Sequence, residues 1–391
     1  MAQQSFVIEN DNESEPKQNI FHGKKRIIIP IFCIFALLLV IMLNNLRQFH
    51  GFTEKAVYKR GDATETTYLG FQGNLLKFSR DGAFYTKYNG ELIWNYTYEM
   101  DNPRIDICGN YIMIYDLKGT QVAILTNTGF KKKIKTAMPI VDANIANKGT
   151  VAILMQEEDT GYVQICNETG DVLASGELHM ENSGYPMALD ISDGGERMVV
   201  SQLDMNGGDV KTTIAFYHFG KEGKDKIDNI IANYSFSNQV FPQVAFLENG
   251  KAVAFGDGEI VLFDNDAKAE IAKEIFVDGE IKNVFSNGKY FGIICNAVNK
   301  KGMMYDQLSV YSENGIRRCQ KEVKDSYTKA ELLPNHEVCL TNGRDASIYT
   351  LYGIKKFAYT FETGIYKIIP GDSSRRYYFV RDDNITSARL K

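Results

Sequence analysis

The chain has 391 residues, enough for one large domain or a few small ones, and 44% hydrophobic with 24% charged content marks a folding chain. A formal net charge of −5 excludes the strongly basic face that a nucleic-acid partner requires. With 22 Tyr, 23 Phe and 33 Gly against one Trp and eight Pro, the composition favours strands joined by tight turns.

Residues 1–26 are polar, with four acids and four bases, and are expected to form a disordered cytoplasmic tail. The run Ile27–Leu43 that follows carries no charge. Extended to Leu46, it reaches the roughly 20 residues that cross a bilayer core, so a transmembrane helix is predicted over 27–46. Lys24, Lys25 and Arg26 precede it and only Arg47 follows closely, which places the N-terminus inside and the rest of the chain outside the cell membrane. "NNLRQFHGF" (44–52) offers no small-x-small cleavage site, so an uncleaved anchor is favoured over a signal peptide.

After a linker at 47–53, the chain repeats a phrase: a β-run, a glycine turn, a second β-run. The turns fall at Gly90, Gly129, Gly170, Gly220, Asn265, Gly315 and Gly353, between 38 and 50 residues apart. That period in a β-rich chain predicts propeller blades, each a four-stranded antiparallel sheet. The first unit opens near Thr67, and quartets follow from Pro103, Met138, Tyr185, Val240, Glu280 and Tyr327. Pro103, Pro139, Pro186 and Pro242 stand in phase at inner-strand starts, where no ladder donor is needed. The lysine-rich "FKKKIKTA" (130–137) suits an outer strand with one open edge. Residues 364–391 supply three strands, and "EKAVYKRG" (54–61) is a strand with no unit of its own. Pairing them completes an eighth blade and closes the ring over 54–391. Seven blades is the alternative, if the long, irregular fourth unit divides differently.

"DGAFYTKYNGELIWNYTY" (81–98) resembles the repeat of pyrroloquinoline-quinone-like propellers, in which a Gly turn leads into a strand carrying Trp. "GNYIMIYDLKGTQVAIL" (109–125), "KGTVAILMQ" (148–156) and "GYPMALDISDGGERMVVS" (184–201) are similar to an uncharacterised family of Gram-positive bacterial membrane proteins. The resemblance implies a short cytoplasmic tail, one span and an external propeller, and it implies no activity. The quinone enzymes add stacked tryptophans or a tight cysteine pair and a carboxylate-rich calcium site. With Trp94 alone and no adjacent cysteines, a cofactor is not expected here.

Chemical motifs are sparse. No zinc spacing, HExxH or GxSxG occurs, and the six cysteines are scattered without a CxxC pair. "DMNGGD" (204–209) lacks the bidentate Glu of a calcium loop, since residue 215 is Ala. "SDGGE" (192–196) reads as a hairpin turn. No catalytic, cofactor or metal residue is assigned. Propellers bind where the loops leading into the inner strands converge. The aromatics Tyr185 and Phe241, with Arg104 and Asp142 as polar partners, are therefore the binding candidates, against the alternative that the aromatics wedge between blades. The expected function is a non-enzymatic binding or scaffold module at the cell envelope, with a protein or polysaccharide partner. A cell-wall polysaccharide hydrolase or lyase, and an envelope sensor, are the alternatives.

Overall fold

The middle strands carry apolar runs, such as residues 151–155 and 260–263, because each is covered on both faces by a neighbouring sheet. Outer strands are more open: in Gly129–Lys135 only Gly129 and Ile134 are buried, and the lysines turn to solvent. The computed structural model describes residues 30, 32–34, 36, 47–61, 65–158, 160–179, 184–205 and 208–391. The predicted tail and most of the predicted span lie outside that set; within it Pro30, Phe32, Cys33, Ile34 and Ala36 are helical. Among the described residues no helix is long and apolar enough to cross a membrane.

Residues 48–391 form one unit, in which the strands pair into eight four-stranded antiparallel sheets. Blades 1 to 7 cover 67–97, 103–135, 140–179, 185–237, 243–276, 281–323 and 329–360, each running in sequence order from inner to outer strand. Blade 8 takes its three inner strands from 365–390 and its outer strand from Phe52–Lys59, which pairs with Asn384–Leu390. The closing strand begins two residues earlier than the sequence pattern suggests. The long fourth unit is a single blade whose extra residues form an excursion at 219–229, with a one-turn 3₁₀ segment at Ile227–Asn229. Gly220 is therefore part of that excursion, and the left-handed backbone there falls to Asp228 and Asn229.

Hydrophobic clusters lie between successive sheets. One joins Met113, Ile124 and Ile134 of blade 2 to Ala143, Val151 and Ile153 of blade 3. The glycine turns pack on the preceding blade's outer strand. Gly170 holds a φ of +83°, a left-handed conformation that calls for glycine, and it packs against the Lys132 side chain of blade 2. Trp94 of blade 1 spans the same gap: its indole N–H donates to the Asn127 carbonyl of blade 2 at 3.1 Å, and its ring lies 5.4 Å from that of Tyr85. Lys273, at the equivalent place in blade 5, donates to the Gly315 carbonyl of blade 6 at 2.7 Å. Trp94 is thus a clasp between blades, which answers to the packing role that the repeat implies.

Four antiparallel strands return the chain, at the end of each blade, to the face where that blade began. All inner strands therefore start on one face, called upper here, which also carries the turns between second and third strands. The lower face carries the other turns.

Candidate binding surface

Arg104 and Tyr185 stand exposed on the upper face, at the inner-strand starts of blades 2 and 4. Phe241 corrects the expectation of an exposed aromatic: it is 0% exposed, its ring 4.8 Å from that of Phe236, and its carbonyl accepts from Ser201 Oγ at 2.6 Å. It is a wedge between blades 4 and 5. Which way the ring points is not fixed by the linear sequence.

Asp142 is committed to the scaffold. Its Oδ1 accepts from the Ala143 amide at 2.9 Å and from Tyr115 Oη of blade 2 at 3.1 Å, and its Oδ2 accepts from the Leu189 amide of blade 4 at 3.2 Å. Two other inner-strand aspartates repeat the device. Asp106 accepts from the Ile145 amide of blade 3 at 2.8 Å, and Asp190 from the Phe246 amide of blade 5 at 2.6 Å. An inner strand has one unpaired backbone edge, and each aspartate satisfies an amide on the edge of the next blade. Burial pushes all three carboxyls up, only partly offset by those amides, and Asp190 is raised furthest, with Asp106 as the next cause. The four nominated residues therefore sit on the successive blades 2 to 5, but only Arg104 and Tyr185 offer themselves to a partner.

A more prominent feature escaped the sequence reading. In blade 6 the second and third strands, Tyr290–Val298 and Met304–Ser312, are nine residues each. Asn296–Val298 continues three residues beyond Cys295, the partner of the inner strand's first residue, and so rises about 10 Å over the upper face. Blade 5 is low, its second strand ending at Phe255 opposite Gln243, where its inner strand starts. Apolar side chains collect on this step: Val298, Met303 and Met304 at the tip in blade 6, and Phe276 at the end of blade 5's outer strand, 74% exposed. Met205 and Tyr185 extend the same arc onto blade 4. The only sequence signal was apolar Val298, Met303 and Met304 flanking the turn "NKKG", where polar residues are usual.

Chemistry is muted elsewhere. Among the described residues no group of three or more His, Cys, Asp or Glu could hold a metal. All six cysteines are free; Cys166, Cys295, Cys319 and Cys339 are buried in strands, and burial, then Asp193, pushes the Cys108 thiol up to about 12. Such thiols are poor nucleophiles at neutral pH. "DMNGGD" connects two strands of blade 4, with Asn206 and Gly207 outside the described residues. Inner strands of blades 1, 6, 7 and 8 enclose a cavity of about 300 Å³, on which Lys367 and Glu331 form an ion pair.

A family model described as "Family of unknown function (DUF5711)" matches residues 45–390. No curated protein matches the chain. Among solved structures, the fold is similar to BamB from Moraxella catarrhalis, at 13% identity and a TM-score of 0.50, over 87% of this chain and 98% of that one. It is also similar to the computationally designed Ika8 protein, at 11% identity and a TM-score of 0.59, over 87% and 100%. Sqt1 from Chaetomium thermophilum aligns at 12% identity and 0.53, again over 87% and 100%. At these identities the likeness concerns the propeller fold.

Proposed function

We propose that this chain, which belongs to the DUF5711 family of unknown function, is a membrane-anchored propeller that binds a protein or polysaccharide partner outside the cell without transforming it. The apolar run Ile27–Leu43 with Lys24, Lys25 and Arg26 before it supports the anchor and its orientation. The observation that carries the binding reading is the exposed arc of Phe276, Val298, Met303 and Met304 beside the low blade 5. Water-exposed apolar side chains gathered at one step of a rigid scaffold mark an interaction surface. A protein partner is favoured over a sugar because the arc is rich in methionine, a side chain that adapts to packing. The hydrolase reading needs a free carboxylate pair. The closely placed inner-strand acids, Asp106, Asp142 and Asp190, are instead occupied as backbone acceptors.

The test is co-purification from native membranes with wild type and a Phe276→Ser, Met303→Ser, Met304→Ser variant. The variant should lose a partner that wild type retains, at unchanged thermal stability. An identical set of co-purifying proteins would overturn the assignment of this surface.

A further inference from the structure

The lower face carries a second apolar pattern, and it is periodic. In blades 1 to 7 the pairing of third and outer strands shifts register once, where the outer strand begins: between Tyr85 and Thr86 in blade 1, and between Ile124 and Leu125 in blade 2, for example. The same shift recurs at Ile165/Cys166, Phe216/Tyr217, Leu262/Phe263, Val310/Tyr311 and Ile348/Tyr349. A bulge re-aims the side chains beside it. Next to it, or in the turn just before it, each of these seven blades holds an apolar side chain open to solvent: Leu92, Phe130, Leu173, Ile227, Ile271, Ile316 and Tyr352. Leu173 is 60% exposed, Tyr352 69% and Ile227 86%. Each comes from a different blade and lies within three residues of the first residue of its outer strand, so the seven stand around one rim.

The chain enters the propeller on this same face. Phe52, the first residue of the closing strand, pairs with Leu390 at the end of a third strand, and third strands end on the lower face. The Lys391 amide donates to the Gly51 carbonyl at 3.0 Å, fixing the point of arrival.

We propose that this rim lies on the lipid bilayer, with its apolar side chains inserted among the headgroups. The inference rests on the anchored reading above. Only Arg47 and Gln48 separate the predicted span 27–46 from Phe49, whose amide donates to the Lys356 carbonyl of blade 7 at 2.7 Å, so about 7 Å of free chain remains at full extension. The face that receives it is therefore held near the membrane. Points of contact spread around a ring complement a broad, flat partner, whereas a peptide would need a groove. Charge plays a smaller part: Lys131 to Lys133 stand beside Phe130 and Arg317 with Arg318 beside Ile316, but Glu91 precedes Leu92 and Asp171 precedes Val172. Apolar insertion is the attraction, as for interfacial elements in general.

The test uses the full chain in phosphatidylcholine–phosphatidylglycerol liposomes that contain lipid nitroxide-labelled near the headgroup. Leu173→Trp and Ile316→Trp report from the rim and Phe276→Trp from the upper face, each in a chain that also carries Trp94→Phe, so that the introduced indole is the sole one. Emission from each rim indole should fall at least twofold relative to unlabelled lipid, and that of Phe276→Trp should not. Rim quenching no greater than at position 276 would overturn the inference, as would rim indoles shielded from acrylamide yet untouched by the nitroxide, which signals a protein cover. Flotation reads the anchor separately. A chain that floats without rim quenching loses this inference alone, and one that does not float loses the anchor too.

Discussion

Trp94 and the inner-strand aspartates show how single side chains join blades that share no ladder. Replacing Trp94 with Phe keeps a ring against Tyr85 but removes the donor to the Asn127 carbonyl. That change should cost about 1 kcal/mol, read as a lower urea midpoint with an unchanged slope. Asp190 acts in the opposite sense at neutral pH. Its carboxyl is raised in the fold, so the folded chain binds this proton more tightly than the unfolded one. Its contribution is full below the ordinary carboxylate range and is lost as pH rises through the folded value. Stability measured from pH 7 down to pH 4 should therefore gain less in Asp190→Asn than in wild type. Equal pH slopes for the two proteins would show that the burial of this carboxyl has no energetic consequence. The packing role of Trp94 was legible from its place in the repeat, whereas Asp142 drew notice only by its position near a strand start. What decided the aspartate's role was which neighbour lies across the gap between blades, a relation the linear order does not contain.

At the level of strands, the sequence spoke clearly where backbone geometry demands a residue type. Gly90, Gly129, Gly170, Gly315 and Gly353 all adopt positive φ, so the turns that set the blade period were written in glycine. The turn at Asn265 lacks glycine, and Ala269 takes the left-handed backbone there, at φ +47°. Side-chain exposure was less legible. Apolar residues at hairpin tips look like core until the strand lengths of blades 5 and 6 are known. The closing strand makes the strongest prediction at this scale. Glu54 on it pairs with Arg381 at 3.0 Å, and Phe52 packs its ring 4.9 Å from Phe379 and 5.0 Å from Tyr359 of blade 7. Deleting Phe52–Lys59 in the full chain should leave blade 8 with three strands and an open edge, and lower the melting temperature by well over the roughly 2–4 °C of a 1 kcal/mol change in a domain of up to 250 residues. An unchanged melting curve would show that the ring does not depend on this closure.

For the whole molecule, the two faces divide the work in the proposal: an irregular upper face with an arc confined to blades 4 to 6, and a periodic lower face. A rigid closed ring keeps them apart, so changes on one should leave the other's contacts intact. The orientation has a direct check. Protease added to intact cells should digest residues 48–391 and spare the tail; protection of the propeller would place it on the inner side. The charge of −5 has no part in this division, since acids and bases interleave around the lower rim at Glu91, Lys131, Asp171 and Arg317.

The closure of blade 8 also sets a schedule. Its outer strand, Phe52–Lys59, is made before any other part of the propeller, while its partner, Asn384–Leu390, is made last. At about 5–20 residues per second, the 325 residues from Lys59 to Asn384 take roughly 15–65 s to synthesise. Throughout that time the first strand waits with its pairing groups unclaimed, and the seven complete blades can assemble without it. Docking of the oldest strand onto the newest therefore cannot precede the synthesis of Asn384–Leu390.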